Sequence, residues 1–194
     1  MKTLMIILTG TFLIGMLARA QDLPNGEIGI SVNVTANPLI VSNLADENVI
    51  GLTPGISVEL VPDGGGGFQD GSDVPNPVYS SIVFNSTPGQ VLITGESSGS
   101  VIVSFALPYE LYSDGSTSGI VRVDYNGTSG CWENASSSGE LHYFNPKNPE
   151  TVILDPTEGN GTIIFLGGIF TVDPQTEAGV YTGTALITAA YASN

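Results

Sequence analysis

The sequence predicts an all-β fold, an antiparallel sandwich or barrel, on three observations. Short β-branched runs recur at nearly regular spacing along the chain. Turn formers punctuate them, as at Thr87-Pro88-Gly89, Ser113-Asp114-Gly115 and Glu158-Gly159-Asn160-Gly161. No stretch after the N-terminal apolar run carries a sustained 3.6-residue apolar period, so no substantial helix is expected there.

Taken in order, Ile28, Ile30, Val32, Val34 and Ala36 alternate with small polar residues and read as a strand ending near Asn37-Pro38. Residues 39–41 continue it as a short strand, and residues 56–61 form the next run, opened by Thr53-Pro54-Gly55. Residues 63–77 contain four consecutive glycines and read as an exposed loop without regular structure. Further runs fall at 79–84, 90–94, 101–107, 119–125, 141–144, 151–154, 162–166 and 169–172. From Gly179 the tail alternates strictly. Tyr181, Gly183, Ala185, Ile187, Ala189 and Tyr191 share one face, and Thr182, Thr184 and Thr188 share the other. A period of two sets successive side chains on opposite sides of a strand, which predicts one long, half-buried final strand.

Residues 1–20 read as a helical secretory signal peptide: Lys2, an apolar run over 4–17, then Ala18-Arg19-Ala20. That apolar run is shorter than the roughly 20 residues a spanning helix needs. Cleavage before Gln21 is expected, followed by a polar leader over 21–27 and one domain over 28–194, secreted or held at the cell surface. The full chain has formal charge −15, and Arg122 and Lys147 are the only cations after residue 20, against 19 acidic residues. So acidic a surface repels phosphate backbones and anionic headgroups, which argues against nucleic acid and anionic membranes as partners. The lone Cys131, beside Trp132, is expected to be a buried small hydrophobe, since one cysteine cannot close an internal disulfide.

Several stretches resemble a family of secreted bacterial proteins known only as a domain of unknown function. Their carriers are the G-E turn at Gly95-Glu96 after an apolar strand, a strand ending Leu107-Pro108, and Gly167-Gly168 leading to Val172. The tail, with Gly179, Tyr181, Gly183, Ile187 and the near-terminal Tyr191, is its most specific part. That tail is also similar to the terminal strand of spore-coat-U-type and archaic pilin domains. The resemblance implies an immunoglobulin-like sandwich and structural roles for Gly95, Pro108, Gly168, Gly179, Tyr181, Gly183, Ile187 and Tyr191. This chain lacks the cysteine pair of those relatives. The likeness also raises self-association by strand exchange, with residues 28–36 either donated to a neighbour or, as the favoured reading, paired within their own domain.

Motifs for chemistry are sparse. Gly95-Glu96-Ser97-Ser98-Gly99 satisfies G-x-S-x-G, but a strand follows where a nucleophile elbow needs a helix. His142 is the only histidine and the only candidate base for Ser97, and it reads as a surface or strand-edge residue. Asp63, Asp70 and Asp73 are the candidate oxygen ligands for calcium, although they do not match the twelve-residue calcium loop. Sequons at Asn33, Asn85, Asn126, Asn134 and Asn160 read as ordinary turn and strand-surface chemistry. The leading functional expectation is an exported, non-enzymatic structural or adhesive module of fimbria-like character, meeting a protein or glycan surface and needing no cofactor. A soluble calcium- or glycan-binding module is the alternative, and a serine hydrolase built on Ser97 and His142 is the remote one.

Overall fold

The computed structural model describes residues 38–64, 86–113, 119–137 and 139–192, together with the backbone of 68–70. All of them belong to the compact unit Asn37–Asn194. The expected signal peptide, leader and strand at 28–36, and the run at 79–84, lie outside the described residues.

Every described ladder is antiparallel, and the described strands form three sheets. Pairing only between antiparallel neighbours matches the alternation of the runs, with one face buried and one face wet. The first sheet has five strands: β1 (Ile40–Ala45), β4 (Gly89–Thr94), β11 (Thr162–Leu166), β8 (Gly130–Asn134) and β9 (His142–Phe144), in that order. The second has three, β10 (Glu150–Ile153), β5 (Ser100–Ala106) and β14 (Leu186–Tyr191). The third has six: β13 (Tyr181–Thr182), β6 (Glu110–Ser113), β7 (Ile120–Asp124), β12 (Gly168–Val172), β2 (Ser57–Pro62) and β3 (Phe68–Asp70). The one described helical turn is Ala135–Ser137, three residues of 3-10 geometry.

The five- and three-stranded sheets pack face to face. Val91, Ile93, Trp132, Phe144, Ile164 and Leu166 from one meet Val101, Val103 and Val152 from the other in a single buried cluster. Full burial of such side chains contributes ~1.5–3 kcal/mol each. A second cluster lies on the inner face of the six-stranded sheet, where Val58, Leu60, Val121, Val123, Phe170 and Val172 are covered by Val49, Leu52, Ile56 and Leu111. Leu107 packs against both clusters. The five- and six-stranded sheets are joined in sequence by Gly167, the single residue between β11 and β12, whose N–H donates to the Ser129 carbonyl at 2.8 Å.

Two expectations are corrected. The tail is not one strand: β13 pairs with β6 in the six-stranded sheet, while β14 pairs with β5 in the three-stranded sheet. The chain changes sheet at Gly183-Thr184-Ala185, alongside the place where β5 gives way to β6 at Leu107-Pro108-Tyr109. A Cβ on Gly183 would stand 2.6 Å from Leu111 and 3.0 Å from Pro108, so the crossing needs the smallest residue. Alternation survives the break because Ile187, Ala189 and Tyr191 face the first cluster and Thr188 is exposed. The glycine-rich segment is also not wholly irregular, since Phe68–Asp70 pair with Leu60, Val61 and Pro62. Gly64, at φ +76°, takes a left-handed conformation as the chain leaves β2, and the open edge of β2 supplies the ladder.

Gly95 and Tyr191 meet. The Glu96 N–H donates to the Tyr191 hydroxyl at 2.7 Å, and a Cβ on Gly95 would lie 2.5 Å from that oxygen. Tyr191→Phe removes the acceptor and keeps the ring, so a loss of about 1 kcal/mol is expected in urea melts. A loss above about 3 kcal/mol would mean that the ring position itself depends on the hydroxyl.

Candidate functional site

The six-stranded sheet turns its second face outward, and the register brings chemically distinct side chains together there. Glu110 pairs with Arg122 across β6 and β7, and Arg122 with Thr171 across β7 and β12. Tyr112 stands two residues from Glu110 on the same side of β6. With Tyr109, Asp124 and the Val123 segment they line an open trough of about 570 Å³. Tyr109 and Tyr112 are 58% and 56% exposed, among the most exposed large rings of the described residues.

Each group is held by something identifiable. Tyr109 is fixed by its carbonyl, which accepts from the Val123 N–H at 2.9 Å, and by edge-on contact with Tyr125 at 6.2 Å between centroids. Tyr125 is buried and donates its hydroxyl to the Pro108 carbonyl at 3.0 Å. Burial, with the nearby Glu47, Tyr109 and Asp124, pushes its phenol well above the ordinary range, so it stays a donor at any working pH. Tyr112 donates its hydroxyl to the Glu110 carboxylate at 2.5 Å, and that bond, with the carboxylate charge, raises the Tyr112 phenol. Asp124 accepts from Lys147 at 2.5 Å and from the Tyr125 N–H at 2.8 Å, and these partners lower its carboxyl. Arg122 pairs with Asp173 at 3.3 Å. Both cations that follow residue 20 in this acidic chain therefore stand on or beside this one face. Glu59, on β2 two strands away, accepts from the Asn126 amide at 2.5 Å and from the Thr128 hydroxyl at 3.1 Å.

The residues singled out in the sequence fall elsewhere. Ser97 sits in the β4–β5 hairpin turn, with β5 directly after it, and Ser98 there has φ 60°. His142 is exposed on β9, an edge of the described five-stranded sheet, and stacks on Trp132 at 4.0 Å and 17°. β4 and β9 are three strand positions apart in that sheet, about 14 Å at the usual inter-strand spacing. Ser97 and His142 are thus not brought together. Asp63 is exposed beyond β2, the Asp70 backbone pairs with Leu60, and Asp73 lies outside the described residues. Among the described residues no group of three or more His, Cys, Asp or Glu side chains converges as a metal cluster. Cys131 is fully buried, as expected, and burial first, then the Glu133 and Asp63 charges, push its thiol up to about 12. The Asn126 side chain is spent on its own turn and on Glu59, and Asn134 accepts from Thr162 at 2.5 Å.

Of the residues given structural weight, Gly95 and Tyr191 touch each other, and Pro108 and Gly183 mark the sheet switch. Gly168 is buried on β12, where a Cβ would come within 3.1 Å of Val123 and 3.2 Å of the Asp124 carbonyl. Tyr181 donates its hydroxyl to the Glu177 carbonyl at 2.7 Å, Gly179 lies at the exposed entry to β13, and Ile187 packs on the first cluster. Tyr109, Tyr112 and Arg122 were missed in the sequence, where only the presence of two tyrosines just after Pro108 hints at them.

No family model, curated protein or solved structure matches the chain.

Proposed function

We propose that this chain is an exported, non-enzymatic, immunoglobulin-like β-sandwich that acts as a surface adhesive module. On this reading it is a fimbria-like relative of the secreted domain-of-unknown-function family and binds through the outer face of its six-stranded sheet. The observation that carries the reading is the trough itself, where Tyr109 and Tyr112 stand more than half exposed among paired polar groups. Amphipathic rings fixed on a rigid sheet supply contact area at little entropic cost, which is why aromatic residues are enriched at binding surfaces. A strongly acidic coat keeps such a module soluble and repels polyanions, which suits recognition of an uncharged or weakly charged surface.

The test is a glycan and cell-surface array with the chain after residue 20 and its Tyr109→Ala/Tyr112→Ala variant. The two should melt within about 1 kcal/mol of each other, because both rings are more than half exposed and Tyr109 gives up only its edge contact with Tyr125. The variant is expected to lose at least about tenfold in affinity, the size of a modest aromatic hot spot. Equal binding by the two proteins would remove the trough from the function.

A further inference from the structure

We infer that the outer face of the three-stranded sheet is a contact between two copies of this chain, packed sheet on sheet about a two-fold axis. The inference is independent of the trough. On β10, β5 and β14 the side chains of Val152, Val101, Val103, Ile187 and Ala189 belong to the first cluster or pack on it. Alternation turns the residues between them outward. Ile102, Ile153 and Leu186 stand 42, 44 and 62% exposed there, and Ala106 and Ala190 are exposed beside them. The registers make these one continuous surface: Ala190 lies next to Ile102, Leu186 next to Ala106, and Ile153 next to Ser100. The other outward positions on these strands are serine or threonine, and none carries a charge.

Charge selects the occupant. At formal charge −15, two copies repel at long range, so they approach closely only where neither presents a charge. A two-fold contact sets a face against itself, and any charge near the axis meets its own like. The outer face of the six-stranded sheet, with Glu110 and Asp124, fails that condition. The three-stranded face meets it, and a charged partner would find no counter-charge there. Shape agrees with the assignment. Ile102, Ile153 and Leu186 form ridges, and the alanine and serine positions leave gaps that a facing copy fills when sheets pack about 10 Å apart. The sheet spans roughly 14 by 20 Å, about 300 Å² in plane. That is below the ~800 Å² per partner of a stable dimer, so the pairing is weak and reversible. Weak pairing suffices where copies are held side by side at high local concentration.

The experiment is sedimentation velocity of the full chain after residue 20, from about 10 μM to 1 mM, in roughly 0.05 and 0.5 M NaCl. The average mass is expected to rise from one chain toward two as concentration rises. Its midpoint should fall at least about threefold lower in concentration at the higher salt, because screening removes the repulsion between the acidic coats. Ile102→Glu places a carboxylate in the middle of the face and should weaken pairing about tenfold or more. Ile102→Lys alone should weaken it similarly. An equimolar mixture of the two variants should pair again, since unlike charges then meet across the axis, and that rescue excludes unfolding as the cause of the loss. Leu44→Glu adds the same charge at a comparably exposed site on β1 and should change pairing by less than about twofold. A chain that stays monomeric at about 1 mM in the higher salt overturns the inference. So does pairing that salt weakens, pairing or filaments that survive Ile102→Glu, or a mixture of the two variants that stays monomeric.

Discussion

Ile164→Ala is expected to destabilise the fold by about 3–4 kcal/mol, while Ile153→Ala stays within about 0.5 kcal/mol. Ile164 is completely buried at the centre of β11, the middle strand of the five-stranded sheet, with β4 on one side and β8 on the other. Its side chain belongs to the cluster shared by the two facing sheets, so truncation removes contacts to both. The lost transfer energy and the cavity left between two rigid sheets add, because neither sheet can collapse without breaking its ladders. Ile153 has the same chemistry at the end of β10, where it is 44% exposed and already meets water. Urea denaturation with a common slope checks the pair. Equal losses would show that the two sheets do not bury Ile164 between them.

That contrast also shows which parts of this fold are legible in the sequence. Strands with one wet face announce themselves: in β5 the exposed Ile102 lies between the buried Val101 and Val103, and in β7 the exposed Arg122 lies between Val121 and Val123. β8 does not. Gly130, Cys131, Trp132 and Glu133 are buried in succession, because both faces of this strand are covered, and a strand covered on both sides has no alternation to read. Glu133 is tolerated there because its carboxylate accepts the Gly139 N–H at 2.9 Å. β6 was missed for a different reason: four residues after a proline carry too little pattern to separate from a turn. The break between β13 and β14 is invisible locally, since period-two alternation continues straight through Gly183 while the partner strand changes.

The trough was still less legible. Tyr109, Tyr112, Arg122, Asp124 and Thr171 span more than sixty positions and are joined only by the registers of β6 on β7 and β7 on β12. Register depends on which faces find cover, which is a tertiary property and not a local one. Conversely, Gly95-Glu96-Ser97-Ser98-Gly99 has chemical meaning only in a strand-to-helix setting, and here the setting is a hairpin. The Tyr191 contact explains Gly95 and Glu96 without any nucleophile.

The other large effect is expected at Asp155, a nearly inaccessible carboxylate at 2% exposure. It follows β10 and holds three turns together. One carboxylate oxygen accepts the Ser136 N–H at 2.7 Å and the other accepts the Thr157 N–H at 2.7 Å. Its own N–H donates to the Thr162 hydroxyl at 3.0 Å, and its carbonyl accepts from Ser98 at 3.3 Å. The turns after β8, β10 and β4 thus converge on one residue, tying the two facing sheets at one end. Burial alone would raise this carboxyl, but the hydrogen bonds from Ser136 and Thr157 outweigh it and the group lies below the ordinary carboxylate value. Asp155→Ala leaves two backbone donors without their acceptor and should cost about 2–4 kcal/mol at neutral pH. Asp155→Asn keeps the shape and one acceptor oxygen, and should lose about half as much. The sign of the pH dependence follows from the lowered value. A carboxylate depressed in the folded state stabilises fully above the unfolded-state value near 3.9, and that stabilisation is lost as pH falls through the folded-state value. The stability gap between wild type and Asp155→Asn should therefore be widest at about pH 7 and close as the solution is taken below about pH 3. Urea melts of both proteins across that range provide the measurement. A gap that stays constant as the acid limit is approached would mean that the ionised Asp155 carboxylate does not hold these turns.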